Sequence, residues 1–227
     1  MVTTDVISNK PLHRARIAGL VFTAVTIVAQ MLQYKLAAEY LSPPLAGTWV
    51  IFLLFASYSN FFDFGFSPTL SREIAFAGGS NQASESSPSN QTKDLLKTVN
   101  IFFVFAAILL LTASYVLAYP FLINTAPPDF RGQIPTIYLI FISGIFVNIL
   151  GAGALATLYG LGDLVWEKGV KISGQVIWIC LSIWFSTLGW GMLGLAIAWS
   201  FQNIVTRIIS FVVLKIRHAW VFEYKGT

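Results

Sequence analysis

Asn60, Asp63, Ser67 and Ser71 recur at i+3 and i+4 spacing inside a stretch, residues 60–77, that is otherwise crowded with aromatics. On a helix these four share one face. Phe61, Phe62, Phe64 and Phe66 lie among them, and the stretch turns charged at Arg72 and Glu73. In a membrane such a polar face has two uses. It lines a cavity, since lipid would not tolerate it, or it hydrogen-bonds a neighbouring helix and adds an interfacial charge pair. Pro68 cannot donate to the carbonyl of Phe64, so a kink or local opening is expected there.

Arg207 is the other residue with strong chemistry to offer. A cation near the membrane centre costs about 3 kcal/mol or more. Its head either snorkels toward the interface beside Lys215 or serves a cavity. Asp63 is a candidate partner for Arg207 or Arg72. Further polar stripes keep helical spacing: Thr23, Thr26, Gln30 and Gln33; Lys168, Lys171, Gln175, Ser182 and Ser186; Asn203, Thr206, Arg207 and Ser210. Each can face a shared interior. Gly144, Asn148, Gly151 and Ala154 do the same, but this stripe is mostly small, so close helix packing explains it equally. Candidate ligand-contacting residues are therefore Gln30, Gln33, Asn60, Asp63, Arg72, Lys171, Gln175, Asn203 and Arg207.

Catalytic chemistry finds no support. The two histidines, His13 and His218, sit beside basic residues outside the apolar segments. There is no phosphate-binding Gly-rich loop, HExxH or CxxC. The single cysteine, Cys180, permits neither an internal disulfide nor a cysteine metal cluster. No enzyme activity, cofactor, metal or nucleic-acid partner is expected.

These residues must be positioned by membrane helices. The 227-residue chain is 56% hydrophobic and only 11% charged, less than half of the roughly 25% charged residues of a soluble domain. Six apolar segments reach the roughly 20 residues that span a bilayer. They cover residues 17–38, 45–77, 95–118, 134–158, 170–190 and 191–214. The expected fold is all-α: a polytopic six-helix transmembrane bundle over 17–214. Residues 1–16 form a polar N-terminus without a signal-peptide core, 78–92 a small, polar, disordered loop, and 215–227 a tail or the start of a linker. Ser42, Pro43 and Pro44 make a tight turn, Asp163 is an expected helix N-cap, and Gly189 and Gly191 close a hairpin. Eleven of the 14 basic residues fall on one side of this arrangement. The positive-inside rule then places both termini in the cytoplasm. Asn90-Gln91-Thr92 matches a glycosylation sequon but falls on that same side.

The basic N-terminus leads into helix one, Gly47-Thr48-Trp49 opens helix two, and Asp63-Phe64-Gly65-Phe66 with Arg72 closes it. Tyr159-Gly160-Leu161-Gly162 joins the paired later helices. This pattern, covering most of the chain, resembles the polysaccharide (O-antigen type) flippases of the multidrug/oligosaccharidyl-lipid/polysaccharide exporter superfamily. The resemblance implies a bacterial inner-membrane transporter of two six-helix lobes that alternate access to a central, often cationic, cavity. It implies movement of undecaprenyl-pyrophosphate-linked sugar repeats, a lipid-linked oligosaccharide, between leaflets. Here the sequence supplies one lobe. It is expected to be a fragment, the product of a shortened gene, or a half-transporter that pairs with a second lobe or with itself. A lone lobe is expected to leave its polar stripes against lipid. For a lipid pyrophosphate, Arg207 would grip two phosphate oxygens, Lys171 and Arg72 would attract the head, and Gln30, Gln33 and Asn203 would bond sugar hydroxyls. Two alternatives stand: a drug or cation exporter of the same superfamily, which would favour cavity acids where the apolar part of the expected spans, ending near Phe66 in the second, holds only Asp63, and a non-transporting membrane scaffold.

Overall fold

The computed structural model describes residues 10–58, 65–80 and 90–221, and every regular element among them is helical. The helices are α1 (Lys10–Tyr40), α2 (Pro43–Tyr58), α3 (Phe66–Ser80), α4 (Asn90–Ala113), α5 (Tyr119–Thr125), α6 (Ile134–Leu150), α7 (Ala152–Gly160), α8 (Leu164–Thr187) and α9 (Gly191–Arg217). Among the described residues five spans are long and apolar enough to cross a membrane: His13–Tyr40, Leu96–Thr125, Ile134–Gly160, Leu164–Thr187 and Gly191–Arg217. Their outer surface is apolar, with Leu20, Leu117 and Ile216 exposed by 72, 71 and 77%. Water would penalise such a surface and lipid would solvate it. The chain is an all-helical, membrane-embedded protein.

Several element boundaries depart from expectation. The helix expected over 45–77 is not continuous: α2 covers Pro43–Tyr58, residues 59–64 lie outside the described residues, and α3 starts only after Gly65. Among the described residues α2 is a shorter apolar helix, and a sixth full-length span is not established. Gly65, at φ +76°, interrupts the chain just before α3. Pro68 does not kink a helix, because it falls in the first turn of α3, where no intrahelical acceptor awaits its missing donor. α1 and α8 begin earlier than expected, at Lys10 and Leu164. Residues 78–80 belong to α3 and 90–92 to α4 rather than to the loop expected over 78–92; the remainder of that loop, 81–89, lies outside the described residues.

The Leu96–Thr125 span also runs on past its expected end at residue 118. Pro120 has no N–H for the carbonyl one turn back, and a π turn over Ser114–Ala118 carries the helix across it into α5. Two other ends are punctuated by glycine as the residue types suggest. After α7, Asp163 N–H donates to Leu158 O and Gly162 N–H to Tyr159 O, with Gly162 at φ +80°. After α8, Trp190 N–H donates to Phe185 O and Gly189 N–H to Ser186 O, with Gly189 at φ +76°. Both are Schellman caps, in which a left-handed residue returns the last N–H groups to the orphan carbonyls. Asp163, expected to cap α8, makes no side-chain cap bond. Its carboxylate instead takes Arg217 Nε and Nη2 at 2.8 and 2.9 Å and His218 Nε2 at 2.7 Å. Partial burial alone would raise this carboxyl, but the hydrogen bonds from Arg217 and His218 outweigh it and hold its pKa below the ordinary aspartate value. The start of α8 is thereby tied to the end of α9.

α9 is the central helix. It packs along α8 on one side and α6 on the other, while α1 lies on α8, α4 on α6 and α3 on α7. Glycines let it approach. A Cβ on Gly144 of α6 would stand 2.7 Å from Ser200 Cα, and one on Gly174 of α8 would strike Thr206 Oγ1. The small stripe on α6 thus serves close packing. Next to it sits an aromatic core joining α2, α6 and α9. Phe52 meets Phe141 edge-on at 5.1 Å, Trp49 meets Phe141 at 5.7 Å, and Trp199 stacks on Phe141 at 5.6 Å.

Candidate functional site

Arg207 lies on α9 opposite the point where the Ile134–Gly160 span breaks. Gly151 separates α6 from α7 there, with φ −90° and ψ 4°. A side chain at 151 would collide with the Arg207 methylenes, so only a glycine lets the arginine lie against this backbone. Arg207 Nη1 donates to Gly151 O at 3.2 Å, and Nη2 donates to Asn148 Oδ1. Buried Nε has no hydrogen-bond partner among the described residues. In this conformation the guanidinium turns into the bundle, onto α6 and the Gly151 carbonyl, rather than along α9 toward Lys215.

The arginine borders a cavity of about 580 Å³ lined from α3, α4, α6, α7, α8 and α9. Lys168 and Lys171 enter it from the first turns of α8, and Ser67 and Ser71 from α3. Glu167 is 2% exposed. Its carboxylate pairs with Lys171 Nζ through Oε1, and Oε2 stands 3.2 Å from Lys168 Nζ as an ion pair without hydrogen-bond geometry, buried and otherwise unpartnered among the described residues. Both ammonium groups also stand over the Phe22 ring of α1, at 5.0 and 5.8 Å from its centroid. The lining therefore carries three cations and one carboxylate.

A second cavity of about 370 Å³ shares Asn148 with the first. It differs in chemistry. Gln30, Gln33, Gln175, Gln202 and Asn203 line it together with Trp178 and Trp199, and none of its described lining residues is charged. Asn203 Nδ2 donates to Trp199 O at 2.9 Å. Gln33 Nε2, Trp178 Nε1 and Trp199 Nε1 are buried donors without a hydrogen-bond partner among the described residues. A charge-free wall of carboxamides and indoles suits a ligand rich in hydroxyl or carbonyl oxygens; the cationic wall beside it suits an anion.

The nine sequence candidates are distributed accordingly. Gln30, Gln33, Gln175 and Asn203 line the neutral cavity, and Lys171 and Arg207 the charged one. Arg72 is exposed on α3 and lines neither. Asn60 and Asp63, and with them the proposed pairing of Asp63 with an arginine, lie outside the described residues. Gln33, Ser182, Ser186, Asn203 and Ser210 are buried inside the bundle, whereas Thr23 and Gln30 of the α1 stripe remain exposed.

Asn148, Glu167 and Gln202 line the cavities without being among the sequence candidates. Asn148 was visible only as one polar member of a small stripe. Glu167 fell before the expected start of the fifth helix, so its burial could not be foreseen. Gln202, beside Asn203, was off the stripe counted on that helix. Among the described residues no group of three or more His, Cys, Asp or Glu is placed to hold a metal ion. Compared with known protein families, with curated proteins and with solved structures, the chain finds no match.

Proposed function

We propose that the chain is a membrane transporter, one lobe of a flippase for pyrophosphate-linked oligosaccharide lipids of the bacterial inner membrane. One observation supports this reading most: a cationic cavity and a neutral carboxamide cavity meet at Asn148 inside an apolar helix bundle. A lipid-linked oligosaccharide has the matching two-part chemistry. Its pyrophosphate needs fixed cations when it leaves water, because desolvating the charge is costly. Its sugars need hydrogen bonds that do not depend on charge. Arg207, Lys168 and Lys171 would take the first part, Gln30, Gln33, Gln175 and Asn203 the second. Reconstituted in liposomes, the protein is expected to move a fluorescent polyprenyl-pyrophosphate disaccharide between leaflets. Movement no faster than in protein-free vesicles would reject the reading.

The drug or cation exporter of the same superfamily gains something from Glu167, the buried acid that the sequence reading lacked. Two lysines already neutralise it, and Arg207 adds positive charge nearby, so an anionic ligand remains the better match. The resemblance to that superfamily over most of the chain, the polysaccharide role and the pairing with a second lobe all belong to this proposal.

In the same reading both termini face the cytoplasm, motivated by the one-sided distribution of Lys and Arg. Cysteines placed at exposed Val165 and Asn124, with Cys180 replaced, test this. An impermeant thiol reagent added to intact cells should label position 124 and spare 165 until the membrane is permeabilised. The opposite pattern would invert the orientation.

A further inference from the structure

The charged cavity raises a question that its cations alone do not answer. Lys168 and Lys171 would be poor ligands for an anion if both were already engaged, and both are: they share Glu167. The acid is nearly inaccessible, its side chain 3% exposed, while the lysines are 23 and 35% exposed along the cavity. Glu167 thus stands behind the ammonium groups, and their outer sides remain open to a ligand. We infer that Glu167 is a resident counter-anion, which holds Lys168 and Lys171 where the phosphate group of a ligand must take them over.

Three facts favour this over a purely structural ion pair. First, Lys171 pairs with Glu167 at i+4, a single-helix contact that ties no two elements together. Holding the bundle does not require it. Second, each ammonium group keeps a second support in the Phe22 ring, so the lysines can turn from one anion to another without being abandoned in the membrane. Third, Arg207 faces the same cavity with no carboxylate of its own, bonded to an amide oxygen and a backbone carbonyl. A phosphate entering between them would find a guanidinium bonded only to neutral acceptors and two lysines on loan to Glu167.

The consequence is a moderated affinity. Ligand binding must displace Glu167 from at least one lysine, and Glu167 competes to displace the ligand again, which favours release as well as capture. This inference deepens the anion half of the transport reading and rests on it for the identity of the ligand, though not for the competition itself.

Binding of inorganic pyrophosphate to the full chain in detergent, and of farnesyl pyrophosphate to the chain in nanodiscs, tests it. Glu167→Gln should bind both probes more tightly than the native protein, by about tenfold or more, the modest end of what one charge-assisted bond supplies. Adding Lys171→Gln to Glu167→Gln should erase that gain. Stronger binding of the farnesyl probe than of inorganic pyrophosphate would identify a lipid headgroup as the source; the reverse would identify a free phosphate. If Glu167→Gln does not purify folded, Glu167→Asp, one methylene shorter, should show a smaller gain. Equal or weaker binding by the folded variant, or no binding by either protein, overturns the inference. Tighter binding by Glu167→Gln without lipid movement in liposomes would leave the counter-anion standing and sink the transport reading alone.

Discussion

Arg207→Ala is expected to lower lipid-linked sugar movement by at least about tenfold while leaving the protein in the membrane. The substitution removes the guanidinium that faces the charged cavity. Its bonds to Gly151 O and to Asn148 go with it. A bond to a charged group is worth about 1.5–3 kcal/mol, and each 1.4 kcal/mol is a factor of about ten. Arg207→Lys should recover only part of the activity. Lysine is a point charge and cannot span two acceptors with fixed geometry, as the planar guanidinium spans the Gly151 carbonyl and the Asn148 amide. Asn148→Ala should reproduce part of the loss by leaving Nη2 without its partner. Liposome assays with protein level measured alongside check all three. Full movement by Arg207→Ala at normal abundance would remove Arg207 from the site. Equal loss of abundance and movement would reduce it to a structural arginine.

Gly160→Val should destabilise the fold, independently of any transport role. Gly160 ends α7 where α3 crosses it. A Cβ there would stand 2.6 Å from Ser71 O and 2.9 Å from Ile74 Cβ. The first obstacle is backbone, which cannot swing aside like the end of a flexible side chain. Close by, Ser71 Oγ donates to Ala156 O at 2.9 Å, and forcing the helices apart would break that bond too. Overpacking of this kind costs about 1–3 kcal/mol. The thermal midpoint in detergent should drop clearly. Gly169→Ala is the control: nothing lies within 4 Å of its added Cβ, and alanine in a helix interior gains up to about 1 kcal/mol over glycine. A Gly160→Val protein as stable as the native one would mean that α3 does not rest on α7 as described.

Much of the architecture is legible in local residue patterns. Apolar runs of spanning length locate the long helices, because desolvating the backbone forces each run to satisfy its own hydrogen bonds. Ser42-Pro43-Pro44 marks the start of α2, and Gly162 and Gly189 mark two helix ends, since their left-handed backbone suits a residue without Cβ. Local patterns fail where a neighbour changes the outcome. Pro68 looks like an interior helix breaker until Gly65 interrupts the chain three residues earlier and turns it into a first-turn proline. Pro120 looks like a stop until a π turn carries the helix past it. Asp163 looks like a cap, but Arg217 and His218, more than fifty residues away, claim its carboxylate.

By itself the sequence determined that this is an all-helical membrane protein whose polar side chains form stripes. Those stripes follow from helical periodicity and from the exclusion of polar groups by lipid. Which stripes meet was decided only by the tertiary structure. The rotation and spacing of helices depend on contacts between distant residues: Gly144 beneath Ser200, Gly151 beneath Arg207, Gly174 beneath Thr206. Those close approaches turn Arg207 onto the break at Gly151 and bury Glu167 behind its lysines. They also divide the polar interior into one cationic and one neutral cavity. No helical spacing could encode that division, because charge in a cavity is set by which faces converge, and convergence is a property of the packed bundle.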